Sequence, residues 1–199
     1  MCPLPLTSWK PPMKKLRISN AALLALVLST SVGCDQVTKI VAREHLEGVG
    51  RLSYLGDTFR LVLIENHGAF LGMGSEMPAG LRTAIFVGVV SLALIAFLVW
   101  IMRTPGLSKF SVVAAGLVIG GGIGNVIDRV LFEGGVTDFL NLGIGTLRTG
   151  IFNVADVWIM LGAAMMLVSR DTWAPDKAEG SEEDGPPESR DDAERALQT

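Results

Sequence analysis

The sequence predicts an all-α integral membrane protein, with four transmembrane helices and a small extracytoplasmic β-rich loop region. Three observations predict it. Apolar residues gather in long runs almost free of charge, and charged loops separate the runs. The runs come close to the about 20 apolar residues that a helix needs to cross a bilayer core of about 30 Å. Lys and Arg collect beside the first run and between the second and third, as they do on the cytoplasmic side of a membrane. A mean hydropathy of +0.44 over 199 residues agrees with this class.

The first span is expected from about Ile18 to Gly33. The second, Thr83 to Met102, carries no charge, and neither does the third, Phe110 to Ile127. The fourth, Ile151 to Ser169, contains one ionisable residue, Asp156. Inside lipid every backbone polar group must be bonded within the segment, which selects helices. The alternating pattern of a membrane barrel strand is missing from these runs.

Lys10, Lys14, Lys15 and Arg17 precede the first span, and Arg103 and Lys109 lie between the second and third. Both termini are therefore expected in the cytoplasm, with residues 35–82 and 128–150 outside. The first outer loop holds Phe59-Arg60-Leu61-Val62-Leu63-Ile64, punctuated on either side by glycines. It predicts short strands and a small sheet on the membrane face. The domain organisation expected is a basic cytoplasmic segment at 1–17, a membrane domain at 18–169 and a cytoplasmic tail at 170–199. The tail is rich in Pro, Gly, Glu, Asp and Ser and is expected to be disordered.

Composition excludes several function classes. The net charge of −3 averages a basic start and an acidic end. No basic stripe interleaved with aromatics points to nucleic acid. Two cysteines, Cys2 and Cys34, form neither a C-x-x-C motif nor a disulfide framework. Two histidines, His45 and His67, are too few for a His-based metal centre. Ser31-Val32-Gly33-Cys34 after an apolar run resembles a lipoprotein cleavage box. Ser31 stands where an aliphatic residue is usual and three more spans follow, so the segment is kept as a span.

Ionisable groups in or beside spans cost free energy unless paired or solvated, which makes them functional candidates. Asp35 and Lys39 follow the first span. Asn66 and Gly68 sit in the first outer loop. Asn125, Asp128 and Arg129 end the third span, Asp138 lies in the second outer loop, and Asn153 and Asp156 open the fourth span. The topology puts all of them near one level of the membrane.

Each has a plainer reading. Asp35 and Lys39, four residues apart, fit a simple surface pair. Asn66-His67-Gly68 fits a turn. Asn125 and Asp128 fit a solvated helix end, with Arg129 anchored at the headgroups, and Asp138 fits a solvated loop. Asn153 with Asp156 fits a relative of the capping box. Singly these readings suffice in most cases; the recurrence of polar residues at one depth is what they do not explain.

No Ser/His/Asp set is credible here, and nothing marks Cys34 as a nucleophile. Two carboxylates remain. If Asp138 and Asp156 approach each other, repulsion and desolvation raise one pKa. The ionised partner then takes a proton from water, and the protonated one donates to an amide carbonyl oxygen.

Five blocks occur in order: Asp35-Gln36-Val37-Thr38-Lys39, Asn66-His67-Gly68-Ala69-Phe70, Gly121 to Val130, Val136-Thr137-Asp138-Phe139 and Phe152-Asn153-Val154-Ala155-Asp156. With them the chain resembles the bacterial lipoprotein signal peptidases, also called signal peptidase II, over about Ile18 to Ser169. The resemblance implies an aspartic endopeptidase whose catalytic pair is Asp138 and Asp156. Asp128 is the competing candidate; the resemblance makes it part of a supporting network with Asp35, Lys39, Asn66, Gly68, Asn125, Arg129 and Asn153. It implies prolipoprotein substrates whose Cys carries diacylglycerol, cut just before that Cys, and contact with membrane lipid. It implies no metal or organic cofactor, a bacterial inner-membrane location, and a site near the outer face. The N-terminal extension and the acidic tail match nothing in the family core.

Two other classes compete. A small transporter predicts ionisable residues near the bilayer midplane, whereas these cluster at one end. An accessory anchoring subunit predicts tolerance of changes at Asp138 and Asp156.

Overall fold

A computed structural model describes residues 18–68, 74 and 76–168. The basic start, the acidic tail, Ala69, Phe70 and Ser169 lie outside the described residues.

Helix α1 spans Ile18–Leu46. It runs well beyond Gly33, where the uncharged run ends. The charges after that point stay in the helix because they are neutralised in place. Asp35 and Lys39, one turn apart, form an ion pair at 2.8 Å with both side chains fully buried. The surface-pair reading is thereby corrected. Ser31 to Cys34 sit inside this helix, where the Ser31 hydroxyl donates to the Val27 carbonyl at 2.7 Å.

Helix α2 covers Ala79–Arg103, starting four residues before the expected Thr83. Its stretch Ala84–Val89 is π-helical, a widened turn that is frequent at functional sites. Helix α3 spans Lys109–Leu131. Ser108 caps it, its hydroxyl accepting from the Ser111 amide at 3.1 Å. Buried Asn20 of α1 donates to the Leu107 carbonyl at 2.9 Å, which ties α1 to the loop leading into α3. Helix α4 spans Val154–Val168.

Helices α1, α2 and α3 are long and apolar enough to cross a membrane, while α4 is a shorter apolar helix among the described residues. Most of α3 is buried against its neighbours and almost none of α2 is. Val89, Leu92 and Ile95 of α2 are more than half exposed, which fits a helix whose outer face meets lipid. Glycines on α3 are spent on close packing. A Cβ at Gly124 would stand 2.5 Å from Asp35 Oδ2, so only glycine lets α1 bring that carboxylate against α3.

The expected small sheet is present. It is antiparallel, in the order β1 (Arg51–Tyr54), β2 (Phe59–Asn66), β3 (Val136–Ile144), β4 (Leu147–Arg148). Strand β2 covers the alternating stretch that predicted it. Ile64 pairs with Asp138 and Asn66 with Val136, so the α1–α2 connection is sewn to the α3–α4 connection. A bulge between Leu61 and Ile64 bends β2. Ala42 and Leu46 of α1 pack with Phe139, Leu52, Leu61 and Val154 to seat the sheet on the helices. At the far end Asp57 accepts from Ser53 and Arg60, and Arg148 donates to its carbonyl at 2.7 Å. The Arg60 and Ser53 hydrogen bonds hold the exposed Asp57 carboxyl well below the usual carboxylate range.

Candidate active site

Asp138 is on β3 and Asp156 on the first turn of α4. A short return of the chain joins the two elements, and backbone bonds fix it. The Phe152 amide donates to Leu140 O at 2.9 Å, and the Leu140 amide donates to Phe152 O at 2.8 Å. Asn153 is therefore held against β3 just before α4 begins. From there it serves both carboxylates. Its Nδ2 donates to Asp138 Oδ1 at 2.6 Å and its backbone amide to Asp156 Oδ2 at 3.2 Å. Its Oδ1 accepts from the Asp156 amide at 3.0 Å. The reciprocal pair of bonds is a capping box. The plainer reading of Asn153 and Asp156 thus holds, and the same residue also reaches Asp138.

Further amides surround the pair. Asn66 Nδ2 donates to Asp138 Oδ2 at 2.9 Å, while its Oδ1 accepts from the Gly68 amide at 2.9 Å. Asn66 is therefore a turn residue and a ligand of Asp138 together. Asn125 Nδ2 donates to Asp156 Oδ1 at 2.9 Å. Asp138 is 1% exposed, which removes the solvated-loop reading. Burial, aided by the negative charge of Asp156, pushes the Asp138 carboxyl up to about 6, against hydrogen bonds from Asn66 and Asn153 that pull it down.

Behind the pair lies a buried charge cluster. Lys39 Nζ is 2.8 Å from Asp35, 3.4 Å from Asp128 and 2.9 Å from Asn125 Oδ1. The Asp35 carboxylate accepts from the Ala155 amide at 2.8 Å, and Asp128 accepts from the Thr137 amide at 2.9 Å. Gln36 donates to Gly124 O and to Asp128 at 3.1 Å each. Asp128 is fully buried and every oxygen contact is to a donor in the scaffold, so the solvated-end reading fails for it. Arg129 donates to Gly68 O at 2.9 Å and to Asn125 O at 3.3 Å, and lies over the Phe86 ring at 5.2 Å. It is bonded within the fold, which removes the plainer reading of a headgroup anchor.

The two carboxylates open onto a cavity of about 820 Å³. Its walls are mostly apolar, with Phe86, Val90, Leu142, Ile151, Val157 and Met160 among them. Asn66, Asn125, Arg129, Asp138 and Asp156 supply its polar patch. Such a site suits an apolar chain with one polar group to be reacted. Among the described residues no group of three His, Cys, Asp or Glu side chains is placed to hold a metal ion.

All ten residues singled out in the sequence fall in this one network. Three further partners were not expected in the site: Gln36 and Thr137, which lie inside two of the five blocks, and Arg43. The signal for Arg43 was available, since residues 35, 39 and 43 share one helix face at four-residue spacing. Thr137 gave no such signal, because its part depends on β3.

Known proteins resemble this chain in sequence and in fold. The family model described as "Signal peptidase (SPase) II" matches residues 27–170. The lipoprotein signal peptidase of Maridesulfovibrio salexigens is 37% identical over 151 residues, covering 75% of this chain and 96% of that protein. That of Hydrogenovibrio crunogenus is 36% identical over 160 residues, covering 77% and 88%. A solved bacterial membrane enzyme, 24% identical, shares the fold with a TM-score of 0.66 over 86% of this chain and 99% of that one. The match along the membrane domain, over nearly the whole length of these relatives, shows that this chain belongs to the signal peptidase II family.

Proposed function

We propose that this chain is a lipoprotein signal peptidase of the aspartic type, cutting prolipoproteins just before a diacylglyceryl-modified Cys. The observation that carries the reading is a pair of carboxylates bridged by Asn153 at the wall of a large apolar cavity. Asp138 is given the acid role, because burial raises its carboxyl to about 6 and so brings its proton within reach of near-neutral pH. Asp156, which accepts from Asn125 and from the Asn153 amide, is the ionised partner. A water between them loses a proton to Asp156 as its oxygen attacks the scissile carbonyl carbon. Asp138 gives its proton to the carbonyl oxygen. On collapse the C–N bond breaks, the proton on Asp156 passes to the leaving amine of the Cys, and Asp138 recovers its own from the hydroxyl. The apolar walls suit a signal helix and acyl chains arriving sideways from the bilayer.

The experiment is to incubate the purified protein, in lipid, with a diacylglyceryl-modified precursor and with the same precursor unmodified. The expected result is a shortened product from the modified precursor alone. The rate constant kcat/KM is expected to fall through an alkaline limb at or above about 6, as Asp138 loses its proton. A flat profile up to pH 9 would remove Asp138 from the acid role.

The chain is also read as a four-span protein of the bacterial inner membrane, with α4 as the fourth span, both termini cytoplasmic and the dyad near the outer face. Basic residues before α1 and around the α2–α3 loop support it. Reporter fusions should report outside after Arg60 and inside after Val168; an outside signal at Val168 would sink the four-span arrangement.

A further inference from the structure

Arg43 lies at the edge of the buried network, one turn beyond Lys39 on α1. Its side chain is 28% exposed, and it makes three attachments: to the last turns of α3, to the residue after it and to the start of β3. Its Nη1 donates to Thr137 Oγ1 at 2.5 Å. The same nitrogen lies 4.0 Å from Asp128 Oδ2. Its guanidinium carbon sits 4.4 Å over the ring of Phe132, the residue that closes α3.

The connection between α3 and β3 is tight and unusual in backbone. Glu133 and Gly134 have φ of 49° and 92°, a left-handed pair that reverses the chain between α3 and β3. The Gly134 amide donates to Arg129 O and the Gly135 amide to Phe132 O, each at 2.8 Å. Thr137 follows and is gripped twice. Its amide donates to Asp128 Oδ2 at 2.9 Å, and its hydroxyl oxygen accepts from Arg43. Asp138 is the next residue. In a strand, successive side chains point to opposite faces. A grip on the Thr137 side chain therefore sets the rotation of β3 about its own axis, and with it the direction in which the Asp138 carboxylate leaves the other face.

We propose that Arg43 is a positioning residue for the hydrolytic reaction, acting through Thr137 to aim the carboxylate of Asp138. The inference rests on the reading of Asp138 as one of the reacting pair. Arg43 touches no reacting atom. Its contribution is orientation: Asp138 reaches Asn153 at 2.6 Å and Asn66 at 2.9 Å, and these distances are kept only while β3 holds its rotation. Small misplacements at a reacting group are expensive in rate and cheap in fold.

The test compares Arg43→Met, Arg43→Lys, Thr137→Val, the Arg43→Met/Thr137→Val double variant and Asp138→Asn, in the full chain in lipid. The readouts are kcat and KM on the diacylglyceryl-modified precursor, with Tm alongside. Arg43→Met leaves Asp128 its bonds to Lys39, Gln36 and the Thr137 amide, so the fold is retained. Arg43→Met and Thr137→Val are each expected to lower kcat about tenfold with KM unchanged. The double variant should be no slower than the worse single one, because both changes remove the same contact. Arg43→Lys should recover part of the loss, since an ammonium still donates to Thr137. Wild-type kcat in a folded Arg43→Met protein overturns the proposal, as does a multiplied loss of about 100-fold in the double variant. Asp138→Asn separates the two levels: if it is inactive while Arg43→Met is normal, only the positioning role fails. If Asp138→Asn is active, the reading of Asp138 fails and the positioning role falls with it.

Discussion

Asp138→Asn and Asp156→Asn are each expected to abolish cleavage while the protein still accumulates in the membrane. Each proposed role requires a group that gains and loses a proton near neutral pH. An amide keeps the size and much of the hydrogen bonding but exchanges no proton. Removing a positioned acid or base costs about 10²–10⁴-fold in rate. Asp138→Asn should also reveal what the site costs the fold. Its carboxyl is raised to about 6 from an ordinary value of 3.8, so the proton is bound more tightly in the folded state. The wild type is therefore favoured below the ordinary carboxylate pKa and loses stability as pH rises through about 6. The asparagine variant does not titrate and escapes that loss. Its Tm should match or exceed the wild type at pH 8, with the difference closing toward pH 4. A dead protein that is more stable than its active parent is hard to explain by damage.

Asp128→Asn is the control. Its carboxylate is fully buried and spends its bonds on Lys39, Gln36 and the Thr137 amide. Lost activity there should track lost protein or lost Tm, with the rate per folded molecule little changed. If Asp138→Asn instead cleaves near the wild-type rate, and Asp128→Asn is dead yet stable, the working pair is Asp128 with Asp156.

The helices were legible because run length against bilayer thickness needs only local composition. Their ends were less so. Counting charge stops the first span at Gly33, but α1 continues to Leu46 because the charges beyond that point find partners on α3, which no local pattern reveals. Strand β2 announced itself by alternation. Strand β3 did not, since Val136–Ile144 is a strand by virtue of pairing with β2 and of the Phe152 return. The same division runs through the site. The residue types in the five blocks could be read singly, each with a plain explanation. Several of those explanations hold in the fold: Asn153 does cap α4, and Asn66 does turn the chain. What the sequence could not show is that each capping or turning amide has a second bond free for a carboxylate. Arg43 shares a helix face with Asp35 and Lys39, but its partner Thr137 comes within reach only once β3 is laid across α1.

Lys39→Met is expected to give the largest loss of stability of any single change in the site. The ammonium is fully buried and is the cation shared by Asp35 and Asp128, at 2.8 Å and 3.4 Å. Methionine fills the space but leaves two carboxylates facing each other with nothing between. Breaking a buried pair from one side costs about 3–5 kcal/mol, most of it the stranded charge. In a chain of ordinary stability that is enough to deplete the folded protein from the membrane. Adding Asp35→Asn removes one of the stranded charges. The remaining Asp128 keeps its Thr137 and Gln36 donors, with Arg43 at 4.0 Å. Protein level and Tm should therefore recover in the double variant. Activity should not recover with them. Asn125 points its Oδ1 at Lys39 and Asn153, at 2.9 Å and 3.1 Å, and this leaves its Nδ2 to face Asp156. An ammonium has only donors, so it fixes which way that amide lies. Without it only Asn153 Nδ2 still donates to that oxygen, so the amide turns more readily and presents oxygen to the Asp156 carboxylate. Membrane abundance, Tm and kcat for the single and double variants decide the matter. Recovered Tm with kcat still down about tenfold or more is the expected result. Full recovery of both would make Lys39 a structural counter-ion and nothing else.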